Sequence, residues 1–167
     1  PSTWVLSNHD VIRHSSRFGG DYGRATASDG ISAKDPQPNT ELGLAKARGA
    51  TLFTLALPGS MYLYQGEELG LPEHSTLEDQ CRQDPTFFRT EGKRVGRDGA
   101  RVPLPWEAHA SASNGFSPNG AAWLPQPACY ADYSRDRQTG VQGSTLEMYR
   151  EALELRKELN LGSGSFE

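Results

Sequence analysis

His9 and Asp10 stand side by side where a short run of β-forming residues, Thr3-Trp4-Val5-Leu6-Ser7, gives way to polar residues. A carboxylate beside an imidazole can accept hydrogen bonds from hydroxyl groups or steady a developing positive charge. Asp after a strand is also a common turn former, so spacing alone leaves both readings open. Arg13, three residues on, reads either as an ion-pair partner for Asp10 or as a solvated loop charge. Glu67 and Glu68 offer two further acids, but neighbours on an extended segment point to opposite faces, so they cannot jointly flank one bond. At most one of them faces a site; the other serves as a structural hydrogen bond of its loop. Gly96-Arg97-Asp98-Gly99-Ala100-Arg101 places two guanidinium groups around an acidic turn and lacks the glycine spacing of a phosphate cradle. By itself it reads as a charged surface turn. His14, His74 and His109 have no metal-ligand spacing, so no metal site is expected. Cys81 and Cys129 have no close-spaced partner and are expected to be reduced thiols.

The elements that must position these groups follow from pattern. Thr3–Ser7 reads as a buried strand. Residues Arg17 to Asn39, crowded with Gly, Ser, Asp and Pro, read as an exposed loop. Asn39 or Thr40 then caps a helix, and Leu42, Ala45, Gly49, Leu52, Phe53 and Ala56 recur on one face until Pro58-Gly59 stops it. Met61–Gln65 reads as a second strand that also ends in a polar cluster, Gly66-Glu67-Glu68. Strand, helix, strand is a right-handed parallel unit, which puts His9-Asp10 and Gln65-Glu67-Glu68 at the same, C-terminal, sheet edge. Pro72 to Gly143 shows little periodicity, yet its aromatics Phe87, Phe88, Trp106, Phe116 and Trp123 argue for order. Ser144-Thr145-Leu146-Glu147 is a capping box, and Leu146, Tyr149, Leu153 and Arg156, with Ala152 and Leu159, continue one helical face until Gly162.

Size and charge bound the rest. The 167 residues bury one ordinary core but fall short of the roughly 250 of a complete (β/α)₈ barrel. A net charge of -4 gives no basic field for nucleic acid or anionic membrane. The longest apolar run, Ala50 to Leu57, is far shorter than the roughly 20 residues that span a bilayer. The opening Pro1-Ser2-Thr3-Trp4 lacks the plan of a signal peptide, so a cytoplasmic location is expected.

Three motifs in order carry a family resemblance. Trp4-Val5-Leu6-Ser7-Asn8-His9-Asp10, with Val11-Ile12-Arg13 and Ser16-Arg17-Phe18-Gly19, resembles the last signature region of the α-glucosidases of glycoside hydrolase family 13. Leu57-Pro58-Gly59-Ser60-Met61-Tyr62-Leu63-Tyr64-Gln65-Gly66-Glu67-Glu68-Leu69-Gly70 resembles their helix-to-last-strand segment. Gly96-Arg97-Asp98-Gly99-Ala100-Arg101-Val102-Pro103-Leu104-Pro105-Trp106, then Asn114-Gly115-Phe116, is similar to the α-glucosidase and oligo-1,6-glucosidase branch.

The resemblance implies an α/β fold, the C-terminal part of a (β/α)₈ TIM barrel comprising roughly the last two βα units, with a long insertion before the last helix. Residues 1–161 would be barrel and 162–167 the start of a connection to a C-terminal β domain. The implied chemistry is a retaining hydrolysis of terminal α-linked glucose from oligosaccharides or sucrose, without metal or cofactor. Asp10 corresponds to the carboxylate that stabilises the transition state, His9 to a histidine that hydrogen-bonds the sugar, and Arg97 or Arg101 to an arginine that closes the pocket. The nucleophile and the acid/base of the family correspond to no residue here, so the isolated chain is expected to be inactive. The partners implied are an α-glucoside or oligosaccharide and the remainder of the barrel. The competing reading is a non-catalytic barrel of the same family that acts through protein contacts; retention of His9, Asp10, Arg97 and Arg101 speaks against it.

Overall fold

The computed structural model describes residues 2–21 and 29–165, so part of the expected Arg17–Asn39 loop lies outside the described residues. Strand β1 (Thr3–Val5) pairs in parallel with β2 (Ser60–Tyr62), in the register Thr3 with Ser60, Trp4 with Met61 and Val5 with Tyr62. Helix α1 (His14–Arg17) follows β1, and α2 (Thr40–Ala56) makes the crossover to β2. The long segment after β2 carries 3₁₀ turns and two short helices, α3 (Pro85–Arg89) and α4 (Arg135–Gln138), before α5 (Thr145–Glu158).

Both strands are shorter than their β-rich runs because side chains intercept the ladder. The Arg17 guanidinium donates to the Leu6 carbonyl at 2.6 Å and Arg13 donates to the Gln65 carbonyl at 2.8 Å. The Tyr64 N–H donates to the Glu67 carboxylate at 2.7 Å. Backbone groups claimed in this way cannot extend a sheet. Nor is β1 buried as its sequence suggested: Val5 is 47% and its partner Tyr62 65% exposed, whereas Trp4 and Met61, on the opposite face of the two-stranded sheet, are half-buried.

The N-cap of α2 is Asn39, whose side chain accepts from the Leu42 N–H. Its packed face is not the expected leucine stripe: Gly43, Ala47, Thr51, Thr54 and Leu55 are buried, whereas Leu42, Leu52 and Phe53 are exposed. The cause is close approach to α1, since a side chain at Gly43 would overlap the Ser15 carbonyl and lie 3.0 Å from the Gly19 backbone. At α5, Ser144 caps as expected by accepting from the Glu147 N–H. Glu147 does not return the bond to Ser144; it accepts from Gly140 and Arg150 instead. The helix ends at Glu158, not at Gly162, because Asn160 adopts the left-handed conformation at φ 53° that terminates helices. Only the first turns of its apolar face are covered: Leu146 and Tyr149 are buried, Leu153 and Leu159 exposed.

The main apolar cluster joins Leu69, Leu71, Leu77, Val102, Leu124, Tyr130 and Leu146. Most of these belong to the segment without periodicity, which is therefore ordered by its own core rather than draped over the sheet. Cys81 and Cys129 are free thiols. Among the described residues no helix is long and apolar enough to cross a membrane.

Candidate active site

Beyond the end of β1 the chain turns sharply. The Asn8 side chain accepts from the Asp10 N–H at 2.8 Å, which holds Asp10 up at the rim where its side chain is half exposed. His9 Nε2 lies 3.2 Å from Asp10 Oδ2. The other carboxylate oxygen, Oδ1, accepts from Arg97 Nη1 at 2.6 Å and from Arg101 Nη2 at 3.2 Å. Arg101 also donates through Nε to the His9 carbonyl at 2.9 Å, so the His9-Asp10 turn is gripped through both backbone and side chain. The Arg97 hydrogen bond, aided by the charges of His9, Arg97 and Arg101, outweighs desolvation and holds the Asp10 carboxyl below its usual range. At neutral pH Asp10 is thus an ionised acceptor, suited to receive hydroxyl hydrogens and to face a developing cation.

The four residues singled out from sequence therefore lie together. The Arg97–Arg101 segment is no solvated surface turn: Asp98, Gly99 and Ala100 form a buried 3₁₀ turn. Behind it sits Asp84, which sequence reasoning passed over. Its Oδ2 accepts from the Arg97 N–H at 2.9 Å and from Arg97 Nε at 2.6 Å, and lies 3.8 Å from Arg101 Nη1. Its Oδ1 accepts from the Thr86 N–H at 2.8 Å and caps α3. Burial alone would raise the Asp84 pKa, but the Arg97 side chain and the Thr86 and Arg97 backbone donors reverse this and hold it far below the carboxylate range. The cap itself was visible as Asp84 before Pro85, a residue favoured in the first helical turn; the bond to Arg97 was not.

Arg13 contradicts both of its sequence readings. It is 2% exposed and makes no ion pair with Asp10. Its guanidinium donates to the Gln65 carbonyl and, at 2.9 Å, to the Ala100 carbonyl, while its own N–H donates to Glu73 at 3.0 Å. It stacks over Tyr64, whose hydroxyl donates to the same Ala100 carbonyl at 3.0 Å. One side chain thus ties the β1 end, the β2 end and the arginine-bearing turn. Burial raises the Glu73 pKa to about 7 despite the Arg13 donor and the charges of Arg13 and Arg17.

Glu67 and Glu68 lie on a turn, not an extended segment, and both serve it. Glu67 accepts from Tyr64 and from the Tyr149 hydroxyl at 3.3 Å, and Glu68 accepts from the Gly66 N–H at 2.8 Å. Neither faces Asp10's rim. Glu67 instead lines a cavity of about 10 Å³ with Ser7, His14 and Tyr149. There desolvation raises Glu67 to about 7 and, with the charges of Arg17 and Arg13, lowers His14 to about 4. His14 Nδ1 and the Ser7 hydroxyl share a hydrogen bond of 2.8 Å. Trp123 is half exposed near the rim, its indole N–H donating to the Arg101 carbonyl at 2.9 Å and its ring meeting Phe116 edge-on at 5.1 Å. Among the described residues no cluster of three His, Cys, Asp or Glu could hold a metal ion.

This arrangement has relatives. A probable α-glucosidase of Rhizobium meliloti strain 1021 is 34% identical over 92% of this chain and 24% of its own length. Maltase A1 of Drosophila melanogaster is 28% identical over 98% of this chain and 24% of its own. The crystal structure of the α-glucosyl transfer enzyme XgtA superposes with a TM-score of 0.75 at 35% identity, covering 98% of this chain and 26% of that one. A trehalulose synthase MutB mutant in complex with Tris matches at TM-score 0.70 and 25% identity, over 98% and 29%. The chain spans about a quarter of the length of the curated relatives it matches. These neighbours carry the TIM-barrel fold of the family. Residues 1–163 match the family described as alpha amylase, catalytic domain, and the chain belongs to that family, glycoside hydrolase family 13.

Proposed function

We propose that this chain is the C-terminal portion of the (β/α)₈ catalytic barrel of a retaining α-glucosidase. Residues 1–161 contribute the last two βα units, and 162–167 begin the connection to a following β domain. The observation that carries the reading is the convergence of His9, Arg97 and Arg101 on one ionised carboxylate, Asp10, beyond the C-terminal ends of two parallel strands. That edge of a barrel is where catalytic residues gather.

In this reading Asp10 acts on the sugar that becomes positively charged as its glycosidic bond breaks. Its Oδ1 is held by two guanidinium groups, which fixes the carboxylate plane and leaves Oδ2, beside His9, to accept ring hydroxyls. Such bonds strengthen as charge develops on the ring, so they lower the barrier more than they tighten ground-state binding. Arg97 and Arg101 close the pocket on the far side of the carboxylate, and His9 donates to the sugar. The nucleophile and the acid/base come from barrel segments outside these residues, in keeping with relatives about four times longer. Neither Glu67 nor Glu68 stands in for them, because both are spent on the β2 turn.

The test is release of p-nitrophenol from p-nitrophenyl α-glucoside by the full-length gene product, by its Asp10→Asn variant and by the 167-residue chain. The expected result is turnover by the first, a fall in kcat of about 10²-fold or more in the second, and silence from the third. A folded full-length protein inert on every α-glucoside would favour the non-catalytic, protein-contact reading instead.

A further inference from the structure

We infer that Asp84 is a positioning residue that sets the guanidinium of Arg97, and with it the state of Asp10, in the α-glucosidase site proposed above. A guanidinium has two usable edges. Asp84 occupies one edge of Arg97, accepting from Nε at 2.6 Å, while Nη2 lies at a looser 3.4 Å. The remaining Nη1 is thereby aimed at Asp10 Oδ1. Asp84 is itself immobilised. It is buried, its backbone N–H is held by Asp98 at 2.9 Å, and its carboxylate packs against Gly96, where a Cβ would come within 2.8 Å of the Asp84 Cβ. Gly96 has φ +73° and no other residue fits that contact without strain.

The charges explain why a second acid is needed. Asp10 faces Arg97 and Arg101, and without Asp84 the three would carry a net positive charge. Arg97 would keep only its single Nη1 bond to Asp10 and could swing away from it, toward solvent and away from the like charge of Arg101, so the carboxylate plane would no longer be fixed. With Asp84 the two acids and two bases balance, and Arg97 is held between the two carboxylates. Asp84 touches no substrate in this scheme; it acts through Arg97.

The test uses Asp84→Asn in the full-length gene product. Asn retains an oxygen that can cap α3 at Thr86, but it turns an acceptor edge toward Arg97 into a weaker or repulsive one. The expected result is a fall of roughly 30- to 300-fold in kcat/KM on p-nitrophenyl α-glucoside, mostly in kcat. Arg97→Met alone should lose at least as much, and the double variant should match Arg97→Met within about threefold, since Asp84 has nothing left to position. A crystal structure of Asp84→Asn should show Arg97 Nη1 displaced from Asp10. Losses that multiply in the double variant, or an Asp84→Asn variant that keeps both wild-type kinetics and the Arg97–Asp10 contact, would overturn the inference. Displacement of Arg97 in a protein that turns over no α-glucoside would sustain the positioning role and sink the glucosidase reading, so the two failures are distinct.

Discussion

Arg13→Met removes a buried cation and leaves its length of apolar stem in place. In the wild type, Arg13 donates to the Gln65 carbonyl at 2.8 Å and to the Ala100 carbonyl at 2.9 Å. Hydrogen bonds from a charged group contribute about 1.5–3 kcal/mol each, so two of them suggest a loss of about 3–6 kcal/mol. Release of the guanidinium from its desolvation penalty offsets part of this, and Tyr64 still donates to Ala100. About 3 kcal/mol remains. In urea, with a slope of roughly 2 kcal/mol per molar, the unfolding midpoint should fall by about 1.5 M, followed by the fluorescence of Trp4, Trp106 and Trp123. Arg13→Lys keeps the charge but cannot reach both carbonyls, and should lose about half as much. The turn bearing Arg97 and Arg101 also loses its anchor, so amide exchange at Ala100 and Arg101, whose N–H groups bond within that turn, should accelerate more than at α5. A midpoint shift below about 0.3 M for Arg13→Met would refute the staple. So would equal shifts for Met and Lys, because the fork geometry would then be irrelevant.

Two glycines of α2 should respond to alanine with opposite signs. Gly43→Ala collides with the Ser15 carbonyl and should destabilise by about 1–3 kcal/mol, whereas Gly49, with nothing within 4 Å, should gain about 0.5–1 kcal/mol; paired urea midpoints decide. Stability should peak between about pH 4.5 and 6.5. His14 and His74, whose folded pKa values fall to about 4 mainly through burial, and Asp84, also depressed, withdraw stability as pH drops. Glu67 and Glu73, raised to about 7 chiefly by burial, hold more protons folded than unfolded, so they withdraw stability as pH rises from 4.5 through 7. Glu67→Gln should therefore flatten the alkaline limb of a midpoint-versus-pH curve by up to about 3 kcal/mol while leaving the acid limb in place. Gly96→Ala, which presses on Asp84, should lower α-glucoside turnover in the full-length gene product, with Gly140→Ala, set in open space, as the control for backbone strain at positive φ.

The local order of the chain is legible in its sequence where short-range chemistry decides. Asn39 and Ser144 mark the starts of α2 and α5 because a cap bonds its own next turn. The two β-rich runs, with a long helix between them, dictate a parallel pair. The motifs that carry the family resemblance contain His9, Asp10, Arg97 and Arg101, and the fold brings the four side by side. Long-range contacts decided the rest. Arg13 looks like a loop charge until Gln65 and Ala100, 52 and 87 residues away, fold over it. Asp84 joins the site only because Arg97, 13 residues on, folds against it. The packed face of α2 passes through Gly43 and Ala47, not Leu52 and Phe53, because the neighbouring α1 needs a surface without side-chain bulk. Hydrophobicity states which residues avoid water; only the packed chain states which neighbour is close enough to demand a small one.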